Sequence, residues 1–171
     1  MVNALFSALI KEKQLNNIDL RKKYKFQNQY KNIWLIKINN ESKVKKLINW
    51  LAVLPANFIV ISDLENINLS NVLVTKTSFV PNSWFDFIVC DDESNCKINT
   101  LFKKWIIPVI NKNSPINSIL MEFNPMANEW NSFLYSENNE WSIFYALVRC
   151  LENLKFPQDK KNLIKNVFDI N

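Results

Sequence analysis

IWLIKINNESKVKKLINWLAVLPANFIVI, residues 33–61, decides the fold. It opens on a β-rich apolar run, Ile33 to Ile38, and closes on another, Asn57 to Ile61. Between them Val44, Leu47, Ile48 and Leu51 fall at i, i+3, i+4 and i+7, one face of a helix spanning about Lys43 to Leu54. This is a strand, helix, strand unit. Both strands are continuously apolar instead of alternating, which suits a parallel sheet covered on its two faces.

The same grammar continues downstream. Short strands are expected at Asn71 to Thr75 and Phe85 to Cys90, a helical segment at Lys97 to Lys104, and further strands at Ile106 to Ile110 and Ser132 to Tyr135. The strongest helix follows, with Ser142 as its expected cap and Ile143, Ala146, Leu147, Cys150, Leu151 and Leu154 as its apolar stripe. Pro157 is expected to stop it. A last helix over about Lys160 to Phe168 turns Leu163, Ile164 and Val167 inward, and Val2 to Lys13 reads as helical. No repeat or low-complexity linker divides the chain. The expectation is one Rossmann-like α/β domain over residues 1–171, a parallel sheet with helices on both faces, with 1–27 as a helical lead-in and 157–171 as a closing helix.

The composition removes several function classes. There is no histidine and no glycine. Glycine supplies the positive φ of helix C-caps and the loops whose backbone N–H groups cradle phosphate, so a site of that kind is absent or altered. Asparagine (27 copies), lysine and isoleucine (19 each) dominate, a pattern of codon bias in an AT-rich genome. The net charge is +5, but the lysines are interleaved with acids along the chain, and no basic stretch carries stacked aromatics; no nucleic-acid partner is expected. Cys90, Cys96 and Cys150 lack metal-ligand spacing, so reduced thiols and no metal or cofactor are expected. No run reaches the length of a membrane span and no signal peptide opens the chain, which reads as cytoplasmic.

Ligands of open parallel sheets bind beyond the carboxyl ends of the strands, near the topological switch point. Three loops qualify. Lys37, Asn39, Asn40 and Lys43 follow the first strand, Ser62, Asp63 and Glu65 the second, and Asp91, Asp92 and Glu93 the fourth. They are either ordinary polar loop ends or, as lysines facing an acidic triplet, a holder for a phosphorylated, hydroxyl-rich ligand.

Several segments fall in a familiar order: FDFIVCDDE at 85–93, KKWIIPVI at 103–110, NEWNSFLY at 128–135, WSIFYALVRCLENL at 141–154 and LIKNVFDIN at 163–171. Their succession resembles the C-terminal, donor-binding half of bacterial starch and glycogen synthases, two-domain glycosyltransferases of the GT-B fold. IWLIKINNESKVKKL sits where that family has its Gly-Arg-Leu strand end and a following lysine. The resemblance covers residues 28–171 in order of elements and 85–171 in motif.

It implies a domain that binds a nucleotide sugar, ADP-glucose above all, for retaining glucosyl transfer in a cleft against an N-terminal half. Carried over by position, Lys37 replaces the arginine on the donor diphosphate, Lys43 the nearby lysine, and Asp92 stands near the first acid of the donor loop. Lysine keeps the charge and loses the bidentate fork. The second acid falls on Thr100, which is no carboxylate. Without an N-terminal half or a histidine, a glycosyltransferase-like domain inactive on its own is expected, active only with a separately encoded partner half; the alternative is a non-catalytic protein-interaction module on the same fold. Trp105 and Trp130 occupy positions where the family uses glycine. Either they are genuine aromatic residues, or they are UGA codons that the source decodes as glycine.

Overall fold

In the computed structural model the described residues are 2–26, 28–65, 67, 69–76, 85–91, 98–115, 119–129 and 131–169. Among them six strands form one all-parallel sheet: β1 (Ile33–Lys37), β2 (Asn57–Ile61), β3 (Val72–Thr75), β4 (Phe87–Cys90), β5 (Ile107–Asn111) and β6 (Phe133–Tyr135), in the order β3-β2-β1-β4-β5-β6. The chain runs outward from β1 to β3, then returns to the other side of β1. The order therefore reverses between β1 and β4, where Lys37 lies opposite Cys90.

Among the described residues five helices surround the sheet: α1 (Val2–Lys23), α2 (Glu41–Leu51), α3 (Ile98–Lys103), α4 (Glu140–Leu154) and α5 (Pro157–Asp169). The stripe read for α2 is its buried set, Val44, Leu47, Ile48 and Leu51, and Leu163, Ile164 and Val167 are that of α5. β1, β2, β4 and β5 are buried along nearly their whole lengths, as strands covered on both faces must be. Trp34 is fully buried at the centre, its indole stacked on Phe87 with centroids 4.3 Å apart. Each such large apolar side chain contributes about 2 kcal/mol by leaving water, so these strands alone carry a core.

Four expectations are corrected. α1 runs ten residues past Lys13, because its second half is held by the sheet: Leu20 is fully buried and Asn17 Nδ2 donates to Asp86 Oδ2 at 2.9 Å. α4 starts at Glu140, capped by Asn139, whose side chain accepts from Ser142 N at 2.8 Å. Ser142 Oγ reaches the other way and accepts from the backbone N–H groups of Ser136 and Glu137, both at 3.1 Å. Pro157 opens α5, where its missing N–H is no loss, and α4 has already ended at Leu154. Cys90 is disulfide-bonded, whereas Cys150 is a buried free thiol raised well above its ordinary pKa by burial.

Candidate functional site

The carboxyl ends of β1, β4 and β6 converge around the switch point. β1 ends at the half-buried Lys37, and the chain turns through Asn39 and Asn40 into α2. Asn40 has extended backbone angles and caps α2 by accepting from Lys43 N at 3.1 Å. That cap fixes Lys43 in the first turn, on the side of the β6–α4 loop, where its Nζ donates to Asn138 Oδ1 at 2.7 Å. One turn on, Lys46 pairs with Glu140 at 2.7 Å. This hydrogen bond first, then the turn's own backbone, holds the half-buried Glu140 carboxyl below its ordinary range.

Asp91 follows β4 directly and joins this group. Its Oδ2 accepts from Asn39 N at 3.0 Å, which ties the loop after β1 to the loop after β4 across the switch point. Its Oδ1 is buried and has no partner among the described residues. Tyr135, at the end of β6, donates its hydroxyl to Cys90 O at 2.7 Å, and burial together with the nearby Asp91 charge pushes its phenol well up. It stays a neutral donor at any physiological pH.

Lys37, Lys43 and Asp91 are thus brought to one end of the sheet. Asp92 and Glu93 lie outside the described residues, as does Trp130. Thr100 is exposed on α3. The loop after β2 turns on itself: Leu64 N donates to Ser62 Oγ at 3.3 Å, Ser62 N donates to Thr75 O, and Asp63 and Glu65 are exposed. It contributes no hydrogen bond to the lysines among the described residues. Tyr135 and Asn138 were not singled out from the sequence. A polar aromatic closing an apolar strand, FLY, was the one available signal for Tyr135; Asn138 sits in an unremarkable polar loop.

Chemically, the group offers ammonium ions for a phosphate, and a buried carboxylate oxygen with free acceptor capacity for a hydroxyl or amine. Among the described residues no helix is long and apolar enough to cross a membrane.

Neither a protein-family model nor a curated protein sequence matches the chain. Solved structures do. The catalytic domain of starch synthase IV from Arabidopsis thaliana, bound to ADP and acarbose, superimposes with a TM-score of 0.72 over 93% of this chain at 15% identity. The chain spans 39% of that protein's length. The C-terminal domain of a glycosyl transferase group 1 family protein from Francisella tularensis matches at a TM-score of 0.59 and 12% identity, over 92% of this chain and 89% of that one. What the chain has in common with both is a fold, the Rossmann-like sheet of GT-B glycosyltransferase domains.

Proposed function

We propose that the chain is the nucleotide-sugar-binding half of a GT-B glycosyltransferase, taking an ADP-sugar at the carboxyl end of β1 and β4. The hydrogen bond from Asn39 N to Asp91 Oδ2 carries this reading, because it gathers the loops after β1 and β4 at the switch point, where open α/β sheets receive ligands. Lys37 and Lys43 face the diphosphate, and Asp91 and the loop with Asp92 and Glu93 take the hydroxyls. The ADP bound to the starch synthase neighbour supports the donor class. Lys43 takes the phosphate in exchange for Asn138. Glucosyl transfer then belongs to a complex with a separately encoded N-terminal half, since this chain has no histidine to serve as acid or base.

Calorimetric titration with ADP-glucose tests it. Lys37→Met and Lys43→Met should each weaken binding about tenfold, the worth of one charge-assisted contact. No binding at millimolar ligand, with or without a partner half, overturns the reading. A second reading, a protein-interaction module, draws on the aromatic face of α2 and α4. Trp141 and Tyr145 are 65% and 63% exposed, and Trp50 packs against Trp141 with centroids 4.7 Å apart and the rings tilted by 35°. A chain that self-associates through this face and ignores ADP-glucose would favour that reading.

A further inference from the structure

The opposite end of the sheet holds a cavity that the donor-site reading does not use. α1 and α5 bracket the amino ends of β1, β4 and β5 and enclose about 360 Å³. Four cations line it, Lys13, Arg21, Lys31 and Lys160, against one carboxylate, Asp86. That carboxylate is already committed: Oδ2 accepts from Ile33 N and from Asn17 Nδ2, both at 2.9 Å, and Oδ1 stands 4.0 Å from Lys13 Nζ.

Three of the cations donate their hydrogen bonds to neutral partners. Lys13 Nζ donates to Trp105 O at 2.6 Å, Lys160 Nζ to Asn32 Oδ1 at 2.8 Å, and one terminal nitrogen of Arg21 to Asn28 O at 2.6 Å. None of these acceptors carries charge. Two buried atoms at the cavity lack a partner among the described residues, Arg21 Nε, a donor, and Asn17 Oδ1, an acceptor. Asn17 is only 8% exposed. Waters would satisfy both atoms and still leave four cations in one lining against a single carboxylate, whose mutual repulsion a counterion relieves. An anion that also bears hydroxyls removes the repulsion and completes both hydrogen bonds. Burial is the chief cause of the lowered pKa of Lys13; Asp86 opposes the shift and Lys160 adds to it.

We propose that this cavity binds a small hydroxylated phosphate ester of the sugar-phosphate class, with Arg21, Lys160 and Lys13 on the phosphate and Asn17 accepting from a hydroxyl. The cavity lies at Asp86, five residues along β4 from Asp91, and hence roughly 16 Å from the donor site. The two are separate and do not share a residue.

Titration of the whole chain with ribose 5-phosphate, inorganic phosphate and ribose, followed by calorimetry, tests it. Ribose 5-phosphate should bind at least several-fold more tightly than inorganic phosphate, and ribose not at all in the millimolar range. Arg21→Gln and Lys160→Gln should each weaken ribose 5-phosphate about tenfold, and the Lys37→Met, Lys43→Met double variant should leave it unchanged. Lys160 is half-buried on α5, and its replacement keeps the test open if Arg21→Gln fails to fold. Unchanged affinity in Lys160→Gln, loss of affinity in the Lys37, Lys43 variant, equal affinity for phosphate and its ester, or no binding at all would each overturn the proposal. Failure here leaves the ADP-glucose titration untouched, since the two ligands are read against different variants.

Discussion

Lys25 and Trp105 hold φ angles of 57° and 50°, the left-handed region that a side chain makes unfavourable by about 1 kcal/mol. Both stand just past a helix end. Phe26 N bonds back to Arg21 O, and Ile106 N to Leu101 O, the six-residue closure that ordinarily puts glycine in the residue between. A chain without glycine meets the same geometric demand with whatever residue stands there. Lys25→Gly should therefore stabilise the protein by about 0.5 to 1 kcal/mol, seen as a higher urea midpoint with an unchanged slope. Trp105→Gly relieves the same strain but loses the ring packed edge-on to Phe168, so it should be neutral or destabilising. The strained angle at Trp105 is also the place where a UGA codon read as glycine would fit, and the mass of the peptide spanning residue 105 separates the two. Lys13 makes a second residue-scale prediction. Burial lowers its pKa from 10.5 to about 8, with Lys160 adding to the shift and Asp86 opposing it. Between pH 8 and 10.5 the unfolded chain keeps the proton that the folded one has lost, so stability rises with pH across that window. Relative to Lys13→Met, the wild type should gain up to roughly 3 kcal/mol from pH 8 to 10.5 in denaturant titrations.

Helix α2 shows how an element is closed without glycine. Its C-cap, Ala52, stays right-handed, the following turn donates Val53 N to Trp50 O and Leu54 N to Leu51 O, and Asn71 Nδ2 then ties the helix end to the loop after it, lying 3.2, 2.9 and 3.0 Å from the oxygens of Leu51, Leu54 and Ala56. Asn71 is 1% exposed, so Asn71→Ala would leave Ala56 O without this partner in the core and take one of two partners each from Leu51 O, which keeps Leu54 N, and Leu54 O, which keeps Ala56 N. The expected loss is about 2 to 3 kcal/mol by thermal or urea unfolding. Such a partner is not visible in the sequence. Periodicity reports which face of an element is buried, and it identified the faces of α2, α4 and α5 because their stripes are regular. It does not report which distant polar group meets a helix end. For the same reason α1 was read ten residues short, since Asn17 is polar in pattern and finds Asp86 only across 69 positions. The strand-end loops were legible because parallel topology fixes where they gather. The union of Asn39 with Asp91 was not, because it depends on the register of β1 against β4.

At the scale of the whole molecule, a parallel sheet has two unlike ends, and this chain puts polar groups at both. The carboxyl end gathers Lys37, Lys43 and Asp91, and the amino end gathers Lys13, Arg21, Lys160 and Asp86 around a cavity. Each ligand that binds only the folded chain adds RT ln(1 + [L]/Kd) to its stability, about 2.7 kcal/mol at a hundredfold excess over Kd. For a domain of this size that corresponds to a rise in Tm of roughly 5 to 10 °C. ADP-glucose and ribose 5-phosphate should each produce a shift of this order in a thermal melt at a matched excess. With both present the free-energy gains should sum, because the sites lie at opposite ends of β4 and share no side chain. A combined shift no larger than the greater single one would mean that the two ligands compete for one set of lysines, and the assignment of separate ends would fail. A combined shift clearly above the sum would mean that β4, which runs between Asp86 and Asp91, carries a favourable coupling from one end of the sheet to the other.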